Sequence, residues 1–286
     1  MVEIIFSEFD STVAGGKAEF KRQGQILKVI LFGSYARGDW VDDPVGGYVS
    51  DYDLLVVVND DKLADVVDYW RPADEHLLRE YQVTHKLTAP VNFIVHSIKD
   101  LNHRLKRGQY FFLDIVRDGV ALYEAPGHSL ERPKKLKPAE ALKEAQAYFD
   151  EWFPSAVGFA DTARYAATQG RAKEAAFHCH QATERLYHCV LLVLTLYSPK
   201  SHKLNFLRSQ CEQLAPTLAV AWPRATRFEQ RCFELLRRAY VDARYSPHYA
   251  ITPEELQWLG ERIAVLQDLV RQACEARLAD LERQAG

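Results

Sequence analysis

No stretch of this chain is long and apolar enough to span a bilayer. The best candidate, 189–196, is short, and His180, Glu184 and Arg185 lie just upstream of it. The opening Met1-Val2-Glu3 lacks the basic-then-apolar pattern of a secretory signal. Cysteine is sparse and one-sided: there are five, at Cys179, Cys189, Cys211, Cys232 and Cys274, and none forms C-x-x-C. That pattern gives no zinc-binding spacing and predicts reduced, buried thiols in a cytoplasmic protein. An excess of one charge is lacking too. A formal net charge of −3 gives no electrostatic ground for bulk binding to nucleic acid or anionic membrane.

What is present is enough for two domains. The chain has 286 residues, of which 48% are hydrophobic and 26% charged, as in soluble globular proteins. Residues 1–124 alternate strand and helix patterns. Strands are expected over 28–33, 50–59, 90–97 and 119–123, because they are β-branched and bounded by turn residues. A helix is expected over 60–82 and a shorter one over 98–107. Residues 125–138 then carry three prolines, one glycine and four basic residues, the composition of a linker. Strand signals vanish after it. Helices are expected over 139–153, 155–168, 171–197, 202–214, 226–244 and 253–281, so residues 139–286 read as an all-α bundle. The predicted fold is an α/β (α+β) domain with a mixed sheet, then a helical bundle.

The chemistry concentrates in one stretch, KVILFGSYARGDWVDDPVGGYVSDYDLLVVV. Gly33-Ser34 follows one strand and Asp51-Tyr52-Asp53 opens the next. Carboxylates at i and i+2 on a strand share a face, where they can hold a divalent metal. Gly33 permits close backbone approach to a ligand. Ser34 can offer its hydroxyl to a phosphate oxygen, helped by the backbone N–H groups and positive end of a following helix. Arg37 adds a cation nearby.

These residues resemble the signature of the DNA polymerase beta-type nucleotidyltransferase superfamily, in particular its minimal nucleotidyltransferase branch. The resemblance covers about residues 25–124 and maps onto Gly33, Ser34, Arg37-Gly38, Asp51 and Asp53. It implies transfer of NMP from an NTP, ATP foremost, with Mg²⁺ or Mn²⁺, to a hydroxyl acceptor on a small molecule or protein. Two features depart from the family. The spacer after Ser34 is longer, so Asp42 to Gly47 reads as an inserted loop. The family's third acid, which completes the metal site and helps deprotonate the acceptor, is replaced by Asn92. An amide oxygen can coordinate a metal but cannot take a proton at neutral pH. His96, on the same face of that strand, reads first as a hydrogen-bonded strand-end histidine, with a base as the alternative.

In the second half, Gln181, Glu184 and His188 share a helix face amid apolar residues, which predicts either a satisfied polar network or a polar pocket. Arg244, Tyr245, His248 and Tyr249 gather where a helix breaks at Ser246-Pro247. FHCHQATERLYHCVLLVL, Ser201-His202-Lys203-Leu204 and YVDARYSPHY resemble, in that order, the HEPN domain family over about residues 139–275. The resemblance implies a nucleotide- or RNA-associated bundle that pairs as a homodimer, with a site at Gln181, Glu184, Arg244, His248 and Tyr249. Family ribonucleases space Arg and His by four to six residues; here only Tyr245 to Pro247 intervene, which argues against RNA as a cleaved substrate. Three readings result: an active transferase, a catalytically impaired nucleotide-binding regulator, and a HEPN toxin fused to its antitoxin.

Overall fold

The computed structural model describes residues 1–40, 42–43 and 48–286, the side chains of residues 42, 43, 48 and 49 excepted. The chain divides into two compact units, Met1–Leu136 and Lys137–Gly286. The first opens with α1 (Val2–Val13) and α2 (Glu19–Arg22). Strand β1 (Ile26–Phe32) leads into a single turn, α3 (Ser34–Arg37). A two-residue hairpin follows, β2 (Asp42–Asp43) paired with β3 (Tyr48–Val49). The insertion expected over 42–47 falls here, and its residues 44–47 lie outside the described residues. Then come β4 (Tyr52–Val58), α4 (Val66–Tyr69), α5 (Arg71–Gln82), β5 (Val91–Ser97), α6 (Ile98–Lys106), α7 (Tyr110–Asp118) and β6 (Val120–Glu124).

The sheet order is β5-β4-β1-β6, with β4 and β5 parallel and the other two pairings antiparallel. It is the mixed sheet the sequence predicts. Alternation along β4 and β5 sorts the faces. Leu54, Val56, Val58, Val91 and Val95 bury one face together with Ile5 and Phe9 of α1 and Trp70 and Leu77. Trp70 stacks on Phe9 at 5.0 Å and donates its indole N–H to the Leu63 carbonyl at 2.7 Å. Asp53, Leu55, Asn92 and His96 belong to the opposite face, where the His96 ring meets Phe112 of α7 edge-on. The helix expected over 60–82 is instead three pieces: a 3₁₀ turn over Asp61–Ala64, α4 and α5. Asp60 and Asp65 stop it from running through, because each caps a new start by accepting from backbone N–H groups two or three residues on.

Segment 125–136 is laid along α6. Lys134 N–H donates to the Leu105 carbonyl, Glu131 N–H to Asn102 Oδ1 at 2.8 Å, and Lys106 pairs with Glu131 at 3.0 Å.

The second unit comprises α8 (Pro138–Thr168), α9 (Ala172–Thr195), α10 (Leu204–Leu214), a 3₁₀ turn over Pro216–Ala221, α11 (Arg227–Tyr245) and α12 (Pro253–Ala285). Helix α9 is its core and is buried along nearly its whole length. The two helices expected over 139–153 and 155–168 are one, and Pro154 lies inside it. Proline removes one internal hydrogen bond, but buried Ala141, Ala145, Ala156, Ala163 and Ala166 keep the halves on one packed stripe. Capping boxes at Thr226/Glu229 and Thr252/Glu255 fix the starts of α11 and α12. All five cysteines are free and buried. Among the described residues no helix is long and apolar enough to cross a membrane.

Candidate functional site

The end of β1 and the start of β4 lie side by side because the strands are antiparallel, with Phe32 opposite Asp53. Gly33, immediately after β1, has φ +75° and ψ −154°, a conformation essentially reserved for glycine. A Cβ built on it would lie 2.6 Å from Asp53 Oδ2, so the glycine and the aspartate together form a cradle that any larger residue would fill. Ser34 is buried and, among the described residues, its Oγ has no hydrogen-bond partner. A buried, unsatisfied hydroxyl is costly and is expected where a ligand completes the bonding. Helix α3 is a single turn, too short for aligned peptide dipoles to add up to much. The half charge expected from its end is therefore not what the turn offers; the Ser34 hydroxyl and the clearance at Gly33 are. Arg37 closes α3 and pairs with Asp39 at 3.2 Å.

Asp53 is fully buried and stands in register with Asn92 on β5. Asn92 Nδ2 donates to Asp51 Oδ2 at 2.8 Å, so the amide joins the two aspartates as their third neighbour. Burying a carboxylate carries a large desolvation cost that a bound cation offsets. Two carboxylates and an amide are hard oxygen-rich donors of the type that magnesium or manganese takes. The residues present fit such an ion, with Asp51 and Asp53 as its anionic ligands. Among the described residues no three His, Cys, Asp or Glu side chains form a metal-binding group.

His96 does not join them. It lies four residues beyond Asn92 on β5, about 13 Å away at roughly 3.3 Å per residue. Its Nδ1 is 2.6 Å from Asp100 Oδ2, and Arg104 Nε donates to the same oxygen at 2.8 Å. Burial raises the pKa of Asp100, but the hydrogen bonds from His96 and Arg104 outweigh it and hold the carboxyl well below the usual range. The imidazole is held in an ion-pair network at the other end of the sheet, the hydrogen-bonded strand-end reading rather than the base.

In the second unit, Glu184 is a hub. It accepts from His202 Nδ1 at 3.0 Å and from Gln181 Nε2 at 3.2 Å, with His180 Nδ1 at 3.5 Å and His188 Nε2 at 3.8 Å. His188 Nδ1 also bonds Ser198 Oγ at 2.5 Å. The row at 180, 184 and 188 on α9 thus clasps the segment leading into α10. Burial pushes His180 and His188 down to about 4 despite the nearby carboxylate. The hydrogen bond to Glu184 raises His202. Burial raises Glu184, but His202 and its neighbours outweigh that and hold it below its ordinary value. The Tyr240 ring stacks on His202 at 4.5 Å and lies 4.5 Å from the Arg244 guanidinium.

Gln181, Glu184 and Arg244 therefore neighbour one cluster, whose histidines are His180, His188 and His202 rather than His248. His248 is exposed, and its backbone N–H donates to Ser246 Oγ. Tyr249 is buried and donates its hydroxyl to the Leu235 carbonyl at 2.9 Å, which makes it a packing residue rather than part of an open site. Tyr245, by contrast, is 73% exposed. The face shared by Gln181, Glu184 and His188 is the sequence signal for this clasp; His202 figures there only within Ser201-His202-Lys203-Leu204, with nothing to pair it with Glu184.

Residues 17–125 match the family described as polymerase beta, nucleotidyltransferase, and residues 149–271 match the HEPN domain. The chain is 34% identical over 103 residues to a putative protein adenylyltransferase of Methanocaldococcus jannaschii, an alignment covering 36% of this chain and 84% of that protein. With the cradle at Gly33, Ser34 and Asp53 in the first unit and an all-helical second unit later in the sequence, the chain belongs to the polymerase beta-type nucleotidyltransferases, its transferase domain followed by a HEPN domain.

Proposed function

We propose that the chain transfers a nucleoside monophosphate, AMP foremost, from a nucleoside triphosphate to a hydroxyl group on a protein. The unsatisfied, buried Ser34 Oγ beside the Gly33–Asp53 cradle carries this reading. The relative's name, a putative protein adenylyltransferase, supports the choice of AMP and of a protein acceptor. Ser34 donates to a phosphate oxygen, and Gly33 gives the phosphates room against Asp53. Asp51 and Asp53 would hold a divalent metal, which when bound neutralises phosphate charge and polarises the phosphorus under attack. Asn92 keeps Asp51 oriented by hydrogen bonding. It cannot accept the acceptor's proton, so β5 supplies no general base and transfer is slow. The assay is pyrophosphate release from each NTP with Mg²⁺ and protein acceptors, the chain itself included. Release that survives both Asp51→Ala and Asp53→Ala would falsify the assignment.

A further inference from the structure

Three aromatic rings, two of them chain neighbours of cradle residues, pack on one another. Tyr52, between the two aspartates, meets Tyr35, the residue after Ser34, with centroids 4.0 Å apart and planes 30° apart. Tyr35 in turn stacks on Trp40 at 5.4 Å and 7°. The inner end is anchored by a 3.3 Å hydrogen bond between Tyr52 Oη and Thr88 Oγ1. The left-handed turn at Gly38, φ +80°, brings Trp40 back over Tyr35. Side chains alternate along a strand, so Tyr52 points away from the face of Asp51 and Asp53, and the ladder flanks the cradle rather than flooring it. Its outermost member, Trp40, is 50% exposed. The other large aromatics of this unit's core, Phe9, Trp70 and Phe112, are fully buried.

We infer that Trp40 is the stacking platform for the base of the bound nucleotide, with purines preferred over pyrimidines. The inference rests on reading Gly33, Ser34, Asp51 and Asp53 as a triphosphate cradle. Two of the ladder's rings adjoin that cradle in the chain: Tyr35 follows Ser34, and Tyr52 separates the aspartates. The half-exposed indole is stacked on the residue that follows Ser34, and it is the exposed end of the ladder that begins at the cradle's own chain neighbours. An indole already stacked on one face offers its other face to a flat ring at little ordering cost, and every base has such a face. A purine covers more of the indole than a pyrimidine, hence the preference.

The test uses the full chain with Mg²⁺ in a calorimeter and three probes: ATP with a methylene bridge between its α- and β-phosphates, the CTP counterpart, and inorganic tripolyphosphate. Wild type is expected to bind the ATP analogue more tightly than the CTP analogue. Trp40→Ala should weaken the ATP analogue about tenfold, within the range a base–aromatic stack contributes, and leave tripolyphosphate unchanged. Trp40→Phe should stay close to wild type on all three. Equal losses on the analogue and on tripolyphosphate would mean that Trp40 shapes the cradle and does not read the base. Unchanged analogue binding by Trp40→Ala would overturn the inference while leaving the cradle standing. If wild type bound neither tripolyphosphate nor the analogues, the cradle itself would fall and the inference with it.

Discussion

Asn92 donates its side-chain amide to Asp51 Oδ2 across the parallel β4–β5 pair, at 2.8 Å. The bond needs an NH₂ at this position, since two carboxylates at that distance would repel unless a cation or proton lay between them. Asn92→Asp therefore tests two effects at once. It introduces a third acid, and it makes the site depend more strongly on a divalent metal. Transfer by the variant is expected to rise about a hundredfold at saturating Mg²⁺, the lower edge of what general-base catalysis gives. At low Mg²⁺ its melting temperature should fall below that of wild type. Pyrophosphate release measured against Mg²⁺ concentration checks both; a rate unchanged at every concentration would mean that the amide does not limit the reaction.

Gly33→Ala should be worse than an ordinary glycine substitution. The backbone there costs any other residue about 1–3 kcal/mol. The new methyl would also collide with Asp53 Oδ2, a neighbour held on a buried strand. A lower melting temperature together with loss of nucleotide binding is expected. Ser34→Ala should lose binding with stability kept or slightly improved, because its hydroxyl has no partner to forfeit. If Ser34→Ala lost stability but kept nucleotide affinity, the hydroxyl would be a folding residue.

His96→Ala separates a base from a brace. With its Nδ1 on Asp100 and its ring on Phe112, the side chain supports the β5–α6 corner. The expected outcome is a destabilisation of about 1–3 kcal/mol in chemical unfolding, with the transfer rate per folded molecule unchanged. A pH–rate profile that lost its imidazole-range limb in the variant would restore His96 to the chemistry.

The cradle was legible because its residues occupy two short motifs on strands whose β-branched runs announce themselves. Gly33-Ser34 and Asp51-x-Asp53 need only an antiparallel pairing to meet. What escaped the sequence is what depends on contacts between distant residues. The Asn92–Asp51 bond spans 41 positions, and the His202–Glu184 bond spans 18. The meeting of Trp40 with Tyr35 depends on a turn set by Gly38. Helix α1 also went unread, although Ile5 and Phe9 are as buried as the strands they cover. The proline at 154 misled in the other direction, since local chemistry predicted a break that packing against α9 overrides.

The Glu184 clasp makes stability depend on pH with a definite sign. His180 and His188 are held neutral down to about 4 in the folded chain, against about 6.5 when unfolded. Between those values the unfolded state binds more protons, so stability falls as pH falls through that window. His202 acts oppositely: its folded pKa is raised, so its contribution is complete below about 6.5 and is lost as pH rises through the folded value. Glu184, held below its ordinary value, contributes above about 4.5 and loses that contribution as pH falls through its folded pKa. Chemical unfolding from pH 7 to pH 4 should show a decline that flattens in His180→Gln/His188→Gln. In Glu184→Gln, NMR titration should find the His202 pKa lower than in wild type. A His202 titration unmoved by that substitution would disprove the clasp.

Pro154 offers a separate test of how α8 is held. A proline in a helix interior is about 3 kcal/mol less favourable than alanine in host systems. Here the helix continues through it for 14 further residues, to Thr168, because alanines on both sides bury the same stripe. Pro154→Ala would restore the missing N–H donor without adding bulk. If the helix is straight enough to use that donor, the variant gains at least about 1 kcal/mol, and the melting temperature rises by about 2–4 °C for a unit of this size. If Pro154 instead sets a bend that α9 requires, alanine relaxes the bend and opens the packing, and the melting temperature falls. A rise is expected, since the buried alanines lie on one stripe both before and after the proline; a fall would show that the bend, not the stripe, is what fits α8 to its neighbour.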